Sequence, residues 1–246
     1  MQKTLTPAER LIVAADFKPT APNGREWVKA QVLDLADSLK GTGVYLKVNS
    51  ALRACGYDLI GEIQSRGLRV FADLKLFDIG ETLSTDGVLL REFKPELLTT
   101  VCMTGITAMQ ALKAELPDTE VLGVTVLTSL KLTDTEEMFS ATIEASVMKF
   151  ALLAEKAGVD GLICAPTDIA FIQSVVKRHM TFNTPAIRPT WAIIPGDDQN
   201  PDRIMTPSKA IKAGATRIVV GRPIVKAEKP YDAVMRTIDE ITDATA

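Results

Sequence analysis

The stretch FADLKLFDIGETL, residues 71–83, decides how the chain is read. Two apolar residues lead into Asp73, Lys75 and Asp78, three charges within six positions, and after Gly80 a run with helical spacing takes over. An apolar strand that ends abruptly in alternating charge places those charges at a strand mouth. Side chains two apart on a strand point the same way, so Asp73 and Lys75 are predicted to share a face, with Asp78 on the loop that follows. Opposite charges packed at a half-buried strand end keep one another ionised. A lysine held between two carboxylates stays protonated, which suits a proton donor where a carbanion forms. The same triplet also fits a surface salt-bridge cluster, and the surrounding chain has to decide between the two.

Outward from this stretch, one strand-then-helix pattern recurs. Upstream, LIVAAD (11–16) reads as a buried strand, and residues 25–40 carry Trp27, Val28, Val32, Leu35 and Leu39 at helical spacing, so Trp27 is predicted to lie in a buried stripe. YLKVN (45–49) is a second strand and residues 51–66 one helix; the central stretch opens the third unit at Leu68, with a helix over about 81–93. Downstream come the strand LLTTVCM (97–103) with a helix over 104–115, then VLGVTVL (121–127) with a polar loop and a helix ending near Gly158. GLICA (161–165) precedes a helix over 167–179 with Thr167 as its N-cap. A less regular strand near 180–184, a long loop, a helix over 207–213, the strand RIVVG (217–221) and a helix over 231–241 complete the chain. Eight such units predict a parallel sheet covered by helices, and in about 250 residues that is the size of a closed (β/α)8 barrel. The open doubly wound sheet is the alternative, but ADFKPT stands after the first strand where a glycine-rich dinucleotide fingerprint is required. Residues 1–246 are therefore read as one α/β domain, a (β/α)8 TIM barrel.

Composition sets outer bounds. The chain has 246 residues, 46% hydrophobic and 24% charged, enough for a sizeable core. A net charge of −3 without a long basic run argues against nucleic acid and anionic membrane surfaces as partners. No signal peptide or bilayer-length apolar run is expected. Cys55, Cys102 and Cys164 are odd in number and lack metal-ligand spacing, which predicts reduced thiols and a cytoplasmic location. Cys102 and Cys164 end apolar runs and read as small buried side chains. His179 is the only histidine and is placed at the solvated end of the 167–179 helix, so a histidine metal site or a Ser-His triad has no support.

A barrel carries its chemistry at the C-terminal ends of its strands. Those ends supply Asp16, Lys47, the Asp73–Lys75–Asp78 group, Thr128 with Ser129, Arg188 with Gln199, and Gly221 with Arg222. The fourth and sixth strands end in Met103 and in Ala165 and Pro166, which predicts little polar chemistry from either. In GRP (221–223) a glycine lets its backbone N–H approach an oxygen while Arg222 offers a charged fork. Paired with the long loop over 186–201, this points to a phosphate. Trp191 in that loop either shields the site or packs beneath it.

The segment YLKVNSALRACGYDLIGEIQSRGLRVFADLKLFDIGETL (45–83), with VTVLTS (124–129), TPAIRP (184–189), GDDQ (196–199) and IMTPSKAIKAGATRIVVGRPI (204–224), resembles the orotidine 5'-phosphate decarboxylase family over nearly the whole chain. The resemblance implies decarboxylation of orotidine 5'-phosphate to uridine 5'-phosphate (UMP) in de novo pyrimidine biosynthesis, without metal or cofactor. It implies that Lys75 protonates the ring carbon, that Asp73 lies beside the departing carboxylate, and that Lys47 holds the array with Asp73 and Asp78. It further implies a homodimer in which Asp78, Ile79 and Thr82 reach the partner's site. Asp16 would bind ribose hydroxyls, Thr128 and Ser129 the nucleotide and its pyrimidine edge, Gln199 base and phosphate together, and Arg188, Gly221 and Arg222 the phosphate. The chain departs from the family pattern at Asn49 and Ala186, where glycine is usual, and at Glu81, where asparagine or alanine is frequent; altered kinetics are expected, with function kept. Metal-dependent sugar-phosphate relatives share Asp-x-Lys-x-x-Asp but place an acidic ligand at the end of the second strand. Lys47 stands there and repels a cation. A non-catalytic phosphate-binding barrel would be expected to have lost part of the charged set, and every member is present.

Overall fold

A computed structural model of the protein describes residues 4–19, 23–192 and 203–245. Eight parallel strands pair in sequence order and the eighth closes on the first, so no strand is left with an unpaired edge. The strands are β1 (Leu11–Ala14), β2 (Tyr45–Val48), β3 (Arg69–Leu76), β4 (Leu97–Val101), β5 (Glu120–Val124), β6 (Gly161–Ile163), β7 (Thr181–Thr184) and β8 (Arg217–Val220). Around them run α1 (Gly24–Ser38), α2 (Ser50–Cys55), α3 (Asp58–Gln64), α4 (Gly80–Arg91), α5 (Ile106–Glu115), α6 (Leu132–Phe139), α7 (Ile143–Ala157), α8 (Ile169–Val175), α9 (Pro207–Lys212), α10 (Arg222–Val225) and α11 (Pro230–Thr245). This is the predicted (β/α)8 barrel.

The strands are apolar on both faces because both faces are covered. Leu11, Val13, Leu46, Val48, Val70, Ala72 and Leu98 pack beneath the helices. Their alternates Ile12, Ala14, Tyr45, Phe71, Leu97, Leu122 and Val219 meet inside the barrel and fill it, with Ile163 against them. Below this plug lies a charged floor. Buried Arg217 donates to Glu120 at 3.0 and 2.8 Å and to Asn183 at 3.1 Å, with its guanidinium 5.2 Å from the Tyr45 ring centroid. The Arg69 guanidinium lies 5.5 Å from the same ring centroid and pairs with Glu9 at 2.9 Å. Inward positions therefore run from charged floor to apolar plug to the mouth at the C-terminal strand ends.

Several predicted elements are shorter or divided. The helix expected over 51–66 breaks at Gly56, whose φ of +86° ends α2 before α3 begins. The polar loop expected before the helix that ends near Gly158 itself holds a helix, α6, which stops at Ser140, and Thr142 caps α7 by accepting the Ala145 N–H at 3.2 Å. Thr167 is not an N-cap: residues 166–168 form a 3-10 turn in which the Asp168 carboxylate accepts the Ala165 N–H at 3.0 Å. Because α8 stops at Val175, His179 lies beyond the helix and precedes β7. The first, fourth and fifth strands end two or three residues early, since their last predicted residues leave the ladder to form the mouth. Trp27 is 42% exposed and meets Phe17 edge to face at 6.4 Å, so the buried stripe of α1 is Val28, Val32, Leu35 and Ala36. Among the described residues, no helix is long and apolar enough to cross a membrane.

The β6–β7 contact depends on Gly161. A Cβ there would meet the Thr181 carbonyl oxygen at 2.7 Å and Leu122 at 2.9 Å, and backbone does not yield cheaply. Gly161→Ala is expected to lower the unfolding free energy by about 1–3 kcal/mol in urea titrations. An unchanged midpoint would show that the two strands pack less closely.

Candidate active site

The charged stretch sits on a bulge. Between the rows that pair Ala72 with Leu98 and Leu76 with Thr100, β3 advances four residues while β4 advances two. Lys75 takes a left-handed φ of +50°, so the alternation predicted for an ideal strand is interrupted at the residue that needs placing. The Lys75 ammonium turns back onto Asp73 and donates to both carboxylate oxygens at 2.7 Å. Thr99 of β4 closes the gap: its hydroxyl accepts the Lys75 backbone N–H at 2.9 Å and donates to Asp73 at 3.0 Å.

Lys47, at the end of β2, lies on the other side of Asp73. Its ammonium is 3.2 Å from Asp73 and 2.9 Å from Asp16, the residue that follows β1 by two positions. The order Asp16, Lys47, Asp73, Lys75 alternates sign around the mouth. Lys47 is 7% exposed and Asp73 6%. Burial alone would drive the proton off Lys47, but Asp73 and Asp16 outweigh it and hold the ammonium above its ordinary value. Burial would likewise raise the Asp73 carboxyl. Lys47, Lys75 and the Thr99 hydroxyl overcome this and bring it from 3.8 to about 2. Asn49 adds a longer contact to Asp73 at 3.4 Å.

This array forms one wall of a cavity of about 810 Å³. Phe71, Val124, Ile163 and Val219 line it with apolar side chains, Thr128 and Ser129 with hydroxyls, and Arg188, Gly221 and Arg222 reach it from beyond the ends of β7 and β8. Such a cavity suits a small ligand with an apolar part and an anionic end. The neck of the following loop is closed by two backbone bonds, Arg188 N–H to Met205 at 2.9 Å and Met205 N–H to Ala186 at 3.3 Å. Ala186 adopts a φ of +63°, a conformation that costs a side-chain-bearing residue about 1–2 kcal/mol relative to glycine. Gln199 lies outside the described residues.

Residues 9–237 match the family described as Orotidine 5'-phosphate decarboxylase / HUMPS. The chain belongs to this family. It is 36% identical over 217 residues to the orotidine 5'-phosphate decarboxylase of Opitutus terrae, covering 85% of this chain and 93% of that one. The orotidine 5'-phosphate decarboxylase of Afipia carboxidovorans is 33% identical over 247 residues, with 99% of each chain covered. Among solved structures, an uncharacterized conserved protein from Geobacillus kaustophilus superposes with a TM-score of 0.74 at 25% identity, over 94% of this chain and 99% of that one. An orotidine 5'-phosphate decarboxylase from Lactobacillus acidophilus gives the same TM-score at 24% identity over 95% and 99%, which speaks for the fold.

In this member of the orotidine 5'-phosphate decarboxylase / HUMPS family, not every expected residue comes to the cavity. Asp16, Lys47, Asp73, Lys75, Thr128, Ser129, Arg188, Gly221 and Arg222 line it. Asp78, Ile79 and Thr82 are exposed and do not. Among the described residues Lys47 pairs with Asp16 and Asp73, and the Asp78 carboxylate accepts only the Ile79 N–H, at 2.7 Å. The fourth and sixth strands, expected to add little, bring Thr99 and Asp168. The second forms a buried ion pair with Arg203, which also donates to the Leu127 carbonyl at 3.0 Å. The signal for Thr99 was two consecutive threonines in an otherwise apolar strand. Trp191 lies away from the cavity, with Arg236 of α11 4.8 Å from its ring centroid. Cys102 is buried, and that burial pushes its thiol up to about 12; Cys164 is buried too and its thiol is likewise raised, so neither is a nucleophile.

The Asp73 carboxyl has a folded-state value near 2, below its ordinary 3.8, so the folded chain holds fewer protons at this group. Its contribution, on the order of 2 kcal/mol, is present above about pH 4 and is lost as the pH falls toward 2. Unfolding free energies measured across this range should fall on acidification, with a flatter acid limb in Asp73→Asn. An acid limb unchanged by the substitution would assign the dependence to other groups.

Proposed function

We propose that the protein decarboxylates orotidine 5'-phosphate to UMP without metal or cofactor, as a step of pyrimidine biosynthesis. The observation that carries this reading is the alternating array of Asp16, Lys47, Asp73 and Lys75, facing arginines across a cavity of nucleotide size. Relatives named for this activity match the chain along nearly its full length. The three free cysteines accord with a cytoplasmic setting.

The chemistry follows from charge. When the bond between the ring carbon and its carboxylate breaks, carbon dioxide leaves and the electron pair stays on the carbon. No cofactor takes up that pair, so a fixed cation must stabilise it. The Lys75 ammonium does this and then transfers a proton to the carbon, becoming a neutral amine that water reprotonates. Asp73 keeps Lys75 in place and repels the substrate carboxylate that lies beside it, an unfavourable contact that disappears as carbon dioxide departs. Asp16 holds ribose hydroxyls, and Thr128 and Ser129 bind the pyrimidine edge. Arg188, Gly221 and Arg222 take the phosphate, with Gln199 reaching base and phosphate together. Binding energy gathered at that remote end orients the ring against Lys75.

Two features support the metal-free form. A hard divalent cation would need the carboxylates of Asp16 and Asp73, and the Lys47 ammonium lies between them at 2.9 and 3.2 Å. The acidic residue that the sugar-phosphate enzymes place at the end of the second strand is replaced by that same lysine. A homodimer is supported by the exposure of Phe77 at 60% and Ile79 at 70%, apolar side chains that flank Asp78. Across such an interface Asp78, Ile79 and Thr82 would complete the partner's site and extend the sign alternation beyond Lys75.

Loss of orotidine 5'-phosphate absorbance is expected to proceed in EDTA and to fall about a thousandfold or more in Lys75→Ala. Turnover abolished by EDTA, or restored by magnesium on a pentulose or hexulose phosphate, would overturn the proposal. For the shared sites, mixing inactive Lys75→Ala with inactive Asp78→Ala should recover roughly a quarter of wild-type activity, since half of the dimers are mixed and each holds one intact site. No recovery after subunit exchange would place Asp78 in its own chain's site.

A further inference from the structure

We propose that Thr99 is a positioning residue of this site, whose hydroxyl sets the Lys75 backbone and the Asp73 carboxylate in register. The proposal rests on the reading of Lys75 as the proton donor.

The bulge in β3 takes the Lys75 N–H off the strand ladder at a half-buried position. A donor left unmatched there is costly, and Lys75 also carries a left-handed φ. Fully buried Thr99 answers both needs, because one hydroxyl accepts the Lys75 N–H at 2.9 Å and donates to Asp73 at 3.0 Å. The oxygen thus links the backbone of the cation to the side chain of its anion. The ammonium, at the far end of a flexible stem, is then located from both directions: at its root through Thr99 and at its tip through Asp73. The neighbouring Thr100 supplies an internal control. It is equally buried on β4 and serves the same bulge, but its hydroxyl donates to the Leu76 carbonyl at 3.0 Å and, among the described residues, bonds to no charged group.

Valine matches threonine in shape and strand preference and removes only the hydroxyl. In Thr99→Val, kcat should fall about ten- to hundredfold with KM changed less than about threefold, because a displaced ammonium misses the reacting carbon while the nucleotide contacts persist. Thr99→Ser should recover most of the loss. Thr100→Val should lower the melting temperature with kcat within about threefold of wild type. Equal kcat in the two valine variants, or a KM effect without a kcat effect in Thr99→Val, would overturn the proposal. Amide hydrogen exchange gives a second readout that needs no substrate. The Lys75 amide should be protected in the wild type and in Thr99→Ser and should exchange quickly in Thr99→Val. Rapid exchange in the wild type would overturn the assignment even if Thr99→Val does not fold. Should the wild type leave orotidine 5'-phosphate unchanged, the functional reading fails, while the exchange comparison still decides the role of Thr99.

Discussion

The contact between Lys47 and Asp73, two buried charges 3.2 Å apart at the mouth of the barrel, is the constraint on which the site depends. Neither charge is tolerable there alone. The transfer of an ion from water costs several kcal/mol, and a partner at hydrogen-bond distance offsets this only if the remaining donors and acceptors are also matched. Asp16 matches one side of Lys47; Lys75, Thr99 and Asn49 surround Asp73. Removing any inner member would strand its neighbour as an uncompensated buried charge, at a cost of about 3–5 kcal/mol. The array is therefore a unit, held at a fixed geometry before any ligand arrives, which is what electrostatic stabilisation of a developing charge requires.

The apolar plug below the array is part of its chemistry. Phe71, Leu97, Leu122 and Val219 fill the barrel beneath the mouth, so the inner pair of Lys47 and Asp73 is shielded from water on that side. The charged floor below the plug is separate. Arg217, Glu120 and Tyr45 satisfy one another at the N-terminal strand ends and contribute to closing the barrel, away from the cavity. Charge at two heights of one barrel thus has two uses, which the apolar layer keeps apart.

Two of the five described non-glycine residues with positive φ stand at the site. Lys75 and Ala186, both with positive φ, belong to the cavity wall and lie on β3 and just after β7. At Lys75 the strain accompanies a bulge that re-aims a side chain. At Ala186 a glycine would adopt the same backbone without penalty, and the two hydrogen bonds that link residues 186 and 188 to Met205 hold the conformation. The glycine that the resemblance leads one to expect at this position would have a direct conformational reason. Asn49, the other position where the resemblance leads one to expect glycine, contacts Asp73, although its side-chain amide oxygen is buried without a partner among the described residues.

Eight strand-helix repeats were legible because apolar periodicity and glycine or proline breaks are local properties of a chain. The abrupt change from apolar to charged residues at Asp73 was legible for the same reason, and with it the set Asp16, Lys47, Asp73 and Lys75. Divided helices were harder: the turn at Gly56 and the caps at Ser140 and Thr142 depend on a few residues within otherwise helical patterns. The places of Trp27, Trp191 and His179 were not legible, since helical spacing says which residues share a face and not whether a neighbour covers it. For Thr99 the only local mark is a pair of threonines in an apolar strand, which suits any strand; its role exists because a bulge two residues long brings Lys75 and Asp73 to its hydroxyl. The sequence by itself determined the barrel and the identity of its charges, through short-range periodicity and residue chemistry. Only the tertiary structure decided which charges meet, because side-chain pairing across strands depends on register, bulges and burial, none of which is encoded one residue at a time.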